Sequence, residues 1–211
     1  MWRSKICIVF ILIAICFGQE QDANARVAHL LISHILLQAR VSGSLEYSGT
    51  CDTQQPQPHI RNVRVTLDNW GAPVTKTLGE MFASDHKMHV TQERDGIVRM
   101  VESDIAQDLL SVKINHIVFH DSRDRGEALE AILHAPEVQA FMSEHKIMMA
   151  GTGQETSRKR VPSSLPPMSG QLDNVSLSQA LDYVLTAYPG YWVYENCPTT
   201  DRGRSVFFQF F

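Results

Sequence analysis

Apolar and polar residues follow two rhythms along this chain, a period of two and a period near 3.6. Val63-Arg64-Val65-Thr66-Leu67-Asp68 alternates, which predicts a half-buried strand. Val74, Leu78, Met81 and Phe82 then fall at i, i+4, i+7 and i+8, one stripe of a helix. Residues 87–93 and 97–102 read as two strands joined at Arg94-Asp95-Gly96. Asp-Gly between two apolar-rich runs predicts a hairpin, because both turn residues tolerate positive φ. The unit is β-α-β-β.

The end of the chain repeats this order. Gln171-Leu172-Asp173-Asn174 echoes Leu67-Asp68-Asn69, and Ser176 with Gln179 spells a capping box at a helix start. Leu177, Leu181, Val184, Leu185 and Tyr188 form the apolar stripe, and Pro189-Gly190 ends it. Residues 191–195 and 205–211 supply two strands. The middle is looser: a strand over 112–119, a helix with Ala128, Leu129, Ile132 and Leu133, then a second helix starting at Pro136. Equivalent leucines at 78, 129 and 181 are spaced 51 and 52 apart, a repeat signal. The expected class is α+β, built of small β-α-β(-β) units. A first lobe of two such units is expected over 26–150 and a C-terminal β-α-β-β unit over 171–211. Between them, 151–170 is rich in Gly, Ser, Thr and Pro and reads as a linker or long loop, with Arg158-Lys159-Arg160 as a solvated charge cluster.

The N-terminus has a third pattern. Arg3 and Lys5 precede an apolar run over 6–17, which is 12 residues long. As a helix it spans ~18 Å at ~1.5 Å per residue, short of the about 20 residues that a bilayer core needs. This is the layout of a cleavable signal peptide over 1–25, with cleavage expected after Gly18 or Ala25. The product would be periplasmic or secreted and would keep no stable membrane span. The stretch 27–37 is apolar but contains His29, Ser33 and His34, and reads as an amphipathic or buried helix.

Net charge is -4, unlike the basic footprint of a nucleic-acid binder. Of the four cysteines, two lie in the leader. The remaining pair, Cys51 and Cys197, most simply forms one disulfide in an oxidising compartment. It would close a loop of about 146 residues, and chain entropy gives such a bridge roughly 4–5 kcal/mol.

Leu67-Asp68-Asn69 with the stripe from Val74 to Phe82, and Leu172-Asp173-Asn174-Val175-Ser176-Leu177-Ser178-Gln179-Ala180-Leu181, resemble the short N-terminal (STN-like) domain shared by secretins and TonB-dependent transducers. The resemblance covers about 90 of the 211 residues. It implies a periplasmic, noncatalytic module that docks onto another envelope or secreted protein, with no cofactor. No pore domain, barrel or receptor body is expected after the module, a departure from that family.

Candidate chemistry is sparse. His116 and His120 share a strand face but lie about 13 Å apart at ~3.3 Å per residue, too far to bind one ion together. Asp121-Ser122-Arg123-Asp124-Arg125-Gly126 opens like a calcium loop, but arginines occupy two ligand positions, so its acids are better helix caps. No HExxH and no Gly-x-Ser-x-Gly occur. A small secreted hydrolase or metal-dependent enzyme around His116 and His120 is the alternative to an interaction module. The expected partner-binding residues are Tyr191, Trp192, Tyr194, Phe208 and Phe210, since aromatic side chains anchor interfaces and a two-faced apolar strand can accept a partner strand.

Overall fold

The computed structural model describes residues 27–49, 63, 72–152, 165–198 and 203–211. The expected leader, all but Val63 of the strand at 63–68, Cys51 and Arg158-Lys159-Arg160 lie outside these residues. The class is α+β, with helices packed on mixed sheets.

Helix α1 covers 27–39. Its buried residues Ala28, Ile32, Ile35 and Leu36 make one stripe, as the apolar stretch predicts. Arg40 ends it at φ 55°, with Arg40 N–H donating to Leu37 O and Val41 N–H to Leu36 O, the bonding of a left-handed helix stop. Strand β1 is Gly43–Ser48. A Cβ on Gly43 would stand 2.6 Å from Val98 O, so glycine lets two backbones meet there. Helix α2, Val74–Met81, buries Thr77, Leu78 and Met81.

Strands β2 (Met88–Gln92) and β3 (Val98–Glu102) pair antiparallel around Asp95-Gly96, with Gly96 at φ 91°. Strand β4 is Lys113–Ser122. Helix α3, Arg125–Leu133, starts at Asp124, whose carboxylate accepts from Glu127 N–H at 2.9 Å. Helix α4, Pro136–Glu144, has proline in its first turn, where no N–H is missed. Strands β5 (Ile147–Thr152) and β6 (Met168–Ser176) follow. Helix α5, Leu177–Ala187, opens on the full Ser176–Gln179 capping box. Strands β7 (Tyr191–Pro198) and β8 (Arg204–Phe210) close the fold.

Six strands form one sheet in the order β2-β3-β1-β7-β8-β5, and β4 pairs with β6 in a separate ribbon. Strand β1 lies parallel to both β3 and β7. The sheet takes strands from both sides of the 153–164 stretch, so the lobes expected at 26–150 and 171–211 share it. The first and last hairpins meet β1 differently, one through its second strand and the other through its first. The strands that open the middle and last units, β4 and β6, pair with each other.

Both faces of the sheet are covered. Leu45, Val98, Met100, Tyr191 and Val193 pack with α1 and α2 on one face. Trp192, Tyr194, Val206 and Phe208 pack with α3, α4, α5 and the inner side of the ribbon on the other. A strand buried on both sides is mostly apolar, as Tyr191 to Tyr194 are, although Glu195 and Asn196 further along β7 are buried as well. Each fully buried large side chain contributes about 1.5–3 kcal/mol.

Candidate interaction surface

Strand β7 lies between β1 and β8, so both of its edges carry ladder bonds. Tyr191, Trp192, Tyr194 and Phe208 are all buried, and Phe210 is half-buried at the rim of the larger core. Tyr191, Trp192, Tyr194 and Phe208 thus serve the core, and of the five expected partner-binding aromatics only Phe210 keeps a partly open side chain. Tyr191 points at α1, where its hydroxyl oxygen lies 2.6 Å from His29 Nδ1 and 3.3 Å from His29 O. Phe211 stacks on His29 with ring centroids 4.2 Å apart. Burial pushes the Tyr191 phenol well above its ordinary pKa, against a Ser33 hydrogen bond that favours the phenolate. On the opposite face Tyr194 donates to Ala106 O at 3.1 Å, and burial raises its pKa as well. A partner could reach these side chains only by opening the sheet.

Between Trp192 and the first hairpin lies a charged network. Arg99 on β3 donates to both carboxylate oxygens of Asp182 on α5, at 3.0 and 2.6 Å. Each side chain of this pair is 12% exposed. Trp192 Nε1 donates to the same carboxylate at 2.8 Å, and the guanidinium sits 5.7 Å from the Trp192 ring centre. Arg99 also reaches Glu93 at 3.2 Å and Ser44 Oγ at 3.3 Å. Burial works against the Arg99 charge, but Asp182 and Glu93 outweigh it and raise its pKa.

Ser44 donates onward to Glu46 at 2.9 Å, and Gln107 donates to the other Glu46 oxygen at 2.8 Å. Burial raises the Glu46 pKa, with Ser44, Arg99 and Gln107 opposing. The network ties β1, β3, β7, α5 and the 103–112 segment together. Every charge in it faces a partner, as a buried ion pair requires.

The histidines stand apart from this. His116 and His120 are exposed on β4, and His116 Nδ1 lies 2.6 Å from Asp173 Oδ1 on β6. Among the described residues, no group of three His, Cys, Asp or Glu side chains is arranged to hold a metal ion. Asp121 adopts φ 49° at the end of β4, and Asp124 is the α3 cap. Cys197 is buried and is not a free thiol.

Among the described helices and strands, large apolar side chains face outward on two. One is β5, the last strand of the sheet, whose sequence Ile-Met-Met-Ala-Gly-Thr carries no charge. Its inner edge pairs with β8, its outer edge has no strand neighbour among the described residues, and Met148 is 58% exposed. The other is the outer arc of α1, where Leu30 and Leu37 are 70% and 72% exposed.

No family model matches the chain, and no curated protein or solved structure matches it either. No helix among the described residues is long and apolar enough to cross a membrane.

Proposed function

We propose that this chain is an exported, noncatalytic interaction module of the cell envelope, which takes an extended segment of a partner protein on the outer edge of β5. The observation that carries this reading is the character of that edge. Edge strands expose a row of N–H and C=O groups, and proteins usually blunt such rows with charge or turns. The opposite edge, β2, follows that rule, since His89, Thr91 and Gln92 are exposed and Lys87 stands just before it. Strand β5 does not. Its bulge between Met149 and Gly151 leaves 147–149 as the regular stretch for a partner strand.

Strand addition binds through main-chain bonds and selects through alternate side chains. Here Met148 offers a flexible, polarizable apolar contact suited to such selection. The resemblance to the short N-terminal domain of secretins and transducers supports the same class of function and the periplasmic or secreted setting. A Cys51–Cys197 bridge belongs to this reading, since export would expose the pair to oxidation.

A photo-cross-linking residue at Met148, in intact cells of the source organism, tests the reading. It should give a reproducible adduct with one partner protein, and Arg94, on the polar hairpin at the far edge, should give none when labelled likewise. Absence of any reproducible adduct from Met148 would end this proposal.

A further inference from the structure

Resting on the strand-addition reading, we infer that the partner segment runs parallel to β5 and sets an apolar residue beside Met148, as β1 does on β7. The ground is an internal repeat that leaves one edge without its counterpart. Asp124 and Ser176 cap α3 and α5, and each accepts from the N–H three residues on. The buried residues Ala128, Leu129, Ile132 and Leu133 of α3 recur 52 positions later as Ala180, Leu181, Val184 and Leu185 of α5. The strands before these helices, β4 and β6, pair antiparallel, and the two helices pack on each other. The strands after them, β5 and β7, flank β8. Strand β8 is parallel to β5 and antiparallel to β7, so β5 and β7 run in opposite directions. These are the relations of two halves turned about an approximate two-fold axis through the ribbon and β8.

The edge of β7 turned away from β8 carries β1 as a parallel strand. The matching edge of β5 carries no strand among the described residues. Turning β1 about the same axis lays an extended segment on that edge. A rotation keeps the relative direction of two strands, so the segment runs parallel to β5. It also keeps the faces of the sheet. Ile147 and Met149 pack into the larger core, as Trp192 and Tyr194 do. Met148 pairs with Ser205, which pairs with Cys197, so Met148 lies on the face of Val193. Beside Val193 stands Leu45 of β1, fully buried. An apolar residue of the incoming segment would cover the exposed Met148 in the same way. A second copy of this chain does not meet the condition, because two identical edges hydrogen-bonded about a two-fold run antiparallel.

A synthetic peptide copying residues 42–49, Ser-Gly-Ser-Leu-Glu-Tyr-Ser-Gly, is the probe. It carries a nitroxide at its N-terminus, and broadening of amide signals in the purified protein locates that end. Ile147 and Met148 should broaden most and Thr152 least, and a nitroxide at the C-terminus should reverse the order. A probe carrying Leu45→Asp should bind about tenfold more weakly, and Met148→Asp in the protein should weaken the native probe by about as much. Met148 is exposed, so the Tm of that variant should match the native protein.

A reversed order of broadening overturns the inference. So does a probe that leaves β5 untouched up to its solubility limit, or one that broadens β3 and β7 instead by displacing β1. Full protection of every β5 amide from hydrogen exchange in the free protein also overturns it, because the chain would then cover its own edge. An antiparallel probe beside a reproducible Met148 adduct in cells removes the orientation and keeps strand addition. Absence of that adduct ends strand addition whatever the probe does.

Discussion

The β2–β3 and β7–β8 hairpins each follow a helix, and each is placed against the same parallel strand, β1. One ends at the polar rim of the sheet and the other fills its middle. Composition accounts for the difference. In β7 and β8 apolar side chains occupy both faces, and only a strand covered on both sides tolerates that. In β2 the side chains are exposed or half-exposed, as an edge allows. The same order of elements thus makes a core and a rim, and the Arg99–Asp182 pair joins the two.

The sharpest way to break this comparison is to truncate one residue in each hairpin. Trp192→Ala should cost about 3–5 kcal/mol in denaturant unfolding, the usual loss for a buried large aromatic. Thr91→Ala in β2 should stay within about 0.5 kcal/mol, as exposed positions do. Equal losses would show that the rim and the middle are not distinct.

Next in size is the joint. Asp182→Ala takes away the two-point partner of the Arg99 guanidinium and leaves it Glu93 and Ser44, and should cost about 2–3 kcal/mol in the same assay. Trp192 loses its hydrogen-bond acceptor in this variant too, so its fluorescence should shift. A loss no larger than that of Lys87→Ala, which breaks an exposed pair with Asp104, would remove the network from the account.

The helices that lead into the hairpins give a smaller contrast. Helix α5 carries a reciprocal cap, whereas α2 starts at Pro73 with no side-chain cap bond. Ser176→Ala should lower stability by about 1 kcal/mol, measured as a drop in the urea midpoint at unchanged m.

The smallest effect lies between the hairpins, at Glu46 on β1. Its folded pKa is raised, so the folded state holds the proton more firmly than the unfolded chain does. That contribution is full below the ordinary carboxyl pKa and is lost as pH rises through the folded value. The native protein should therefore lose stability relative to Glu46→Gln between acid and neutral pH. Parallel stability–pH curves for the two would show that Glu46 does not titrate differently on folding.

Much of the local structure was legible in advance. The Asp95-Gly96 turn, the capping box at Ser176 and Gln179, proline at the start of α4 and the strand at β4 are all near-neighbour chemistry. The candidate surfaces were less legible. Aromatic residues in β7 and β8 fit an interface and a core equally well by composition, and only their burial separates the two. The uncharged run of α1 hid its outer arc, because an apolar helix of that length can be buried all round. The apolar character of β5 was readable, but its place at the end of the sheet was not.

By itself the sequence determined most of the stretches that curl or extend, β1 and β5 excepted, because φ, ψ, caps and side-chain period are set within a few residues. Only the tertiary structure decided that β1 would receive both hairpins, that β4 would leave the main sheet for β6, and that Arg99 would find Asp182 83 residues away. Those choices are made by competition among distant surfaces for the same cover. Each surface is apolar enough to accept several neighbours, and the winner is the arrangement that buries them all at once with its charges paired.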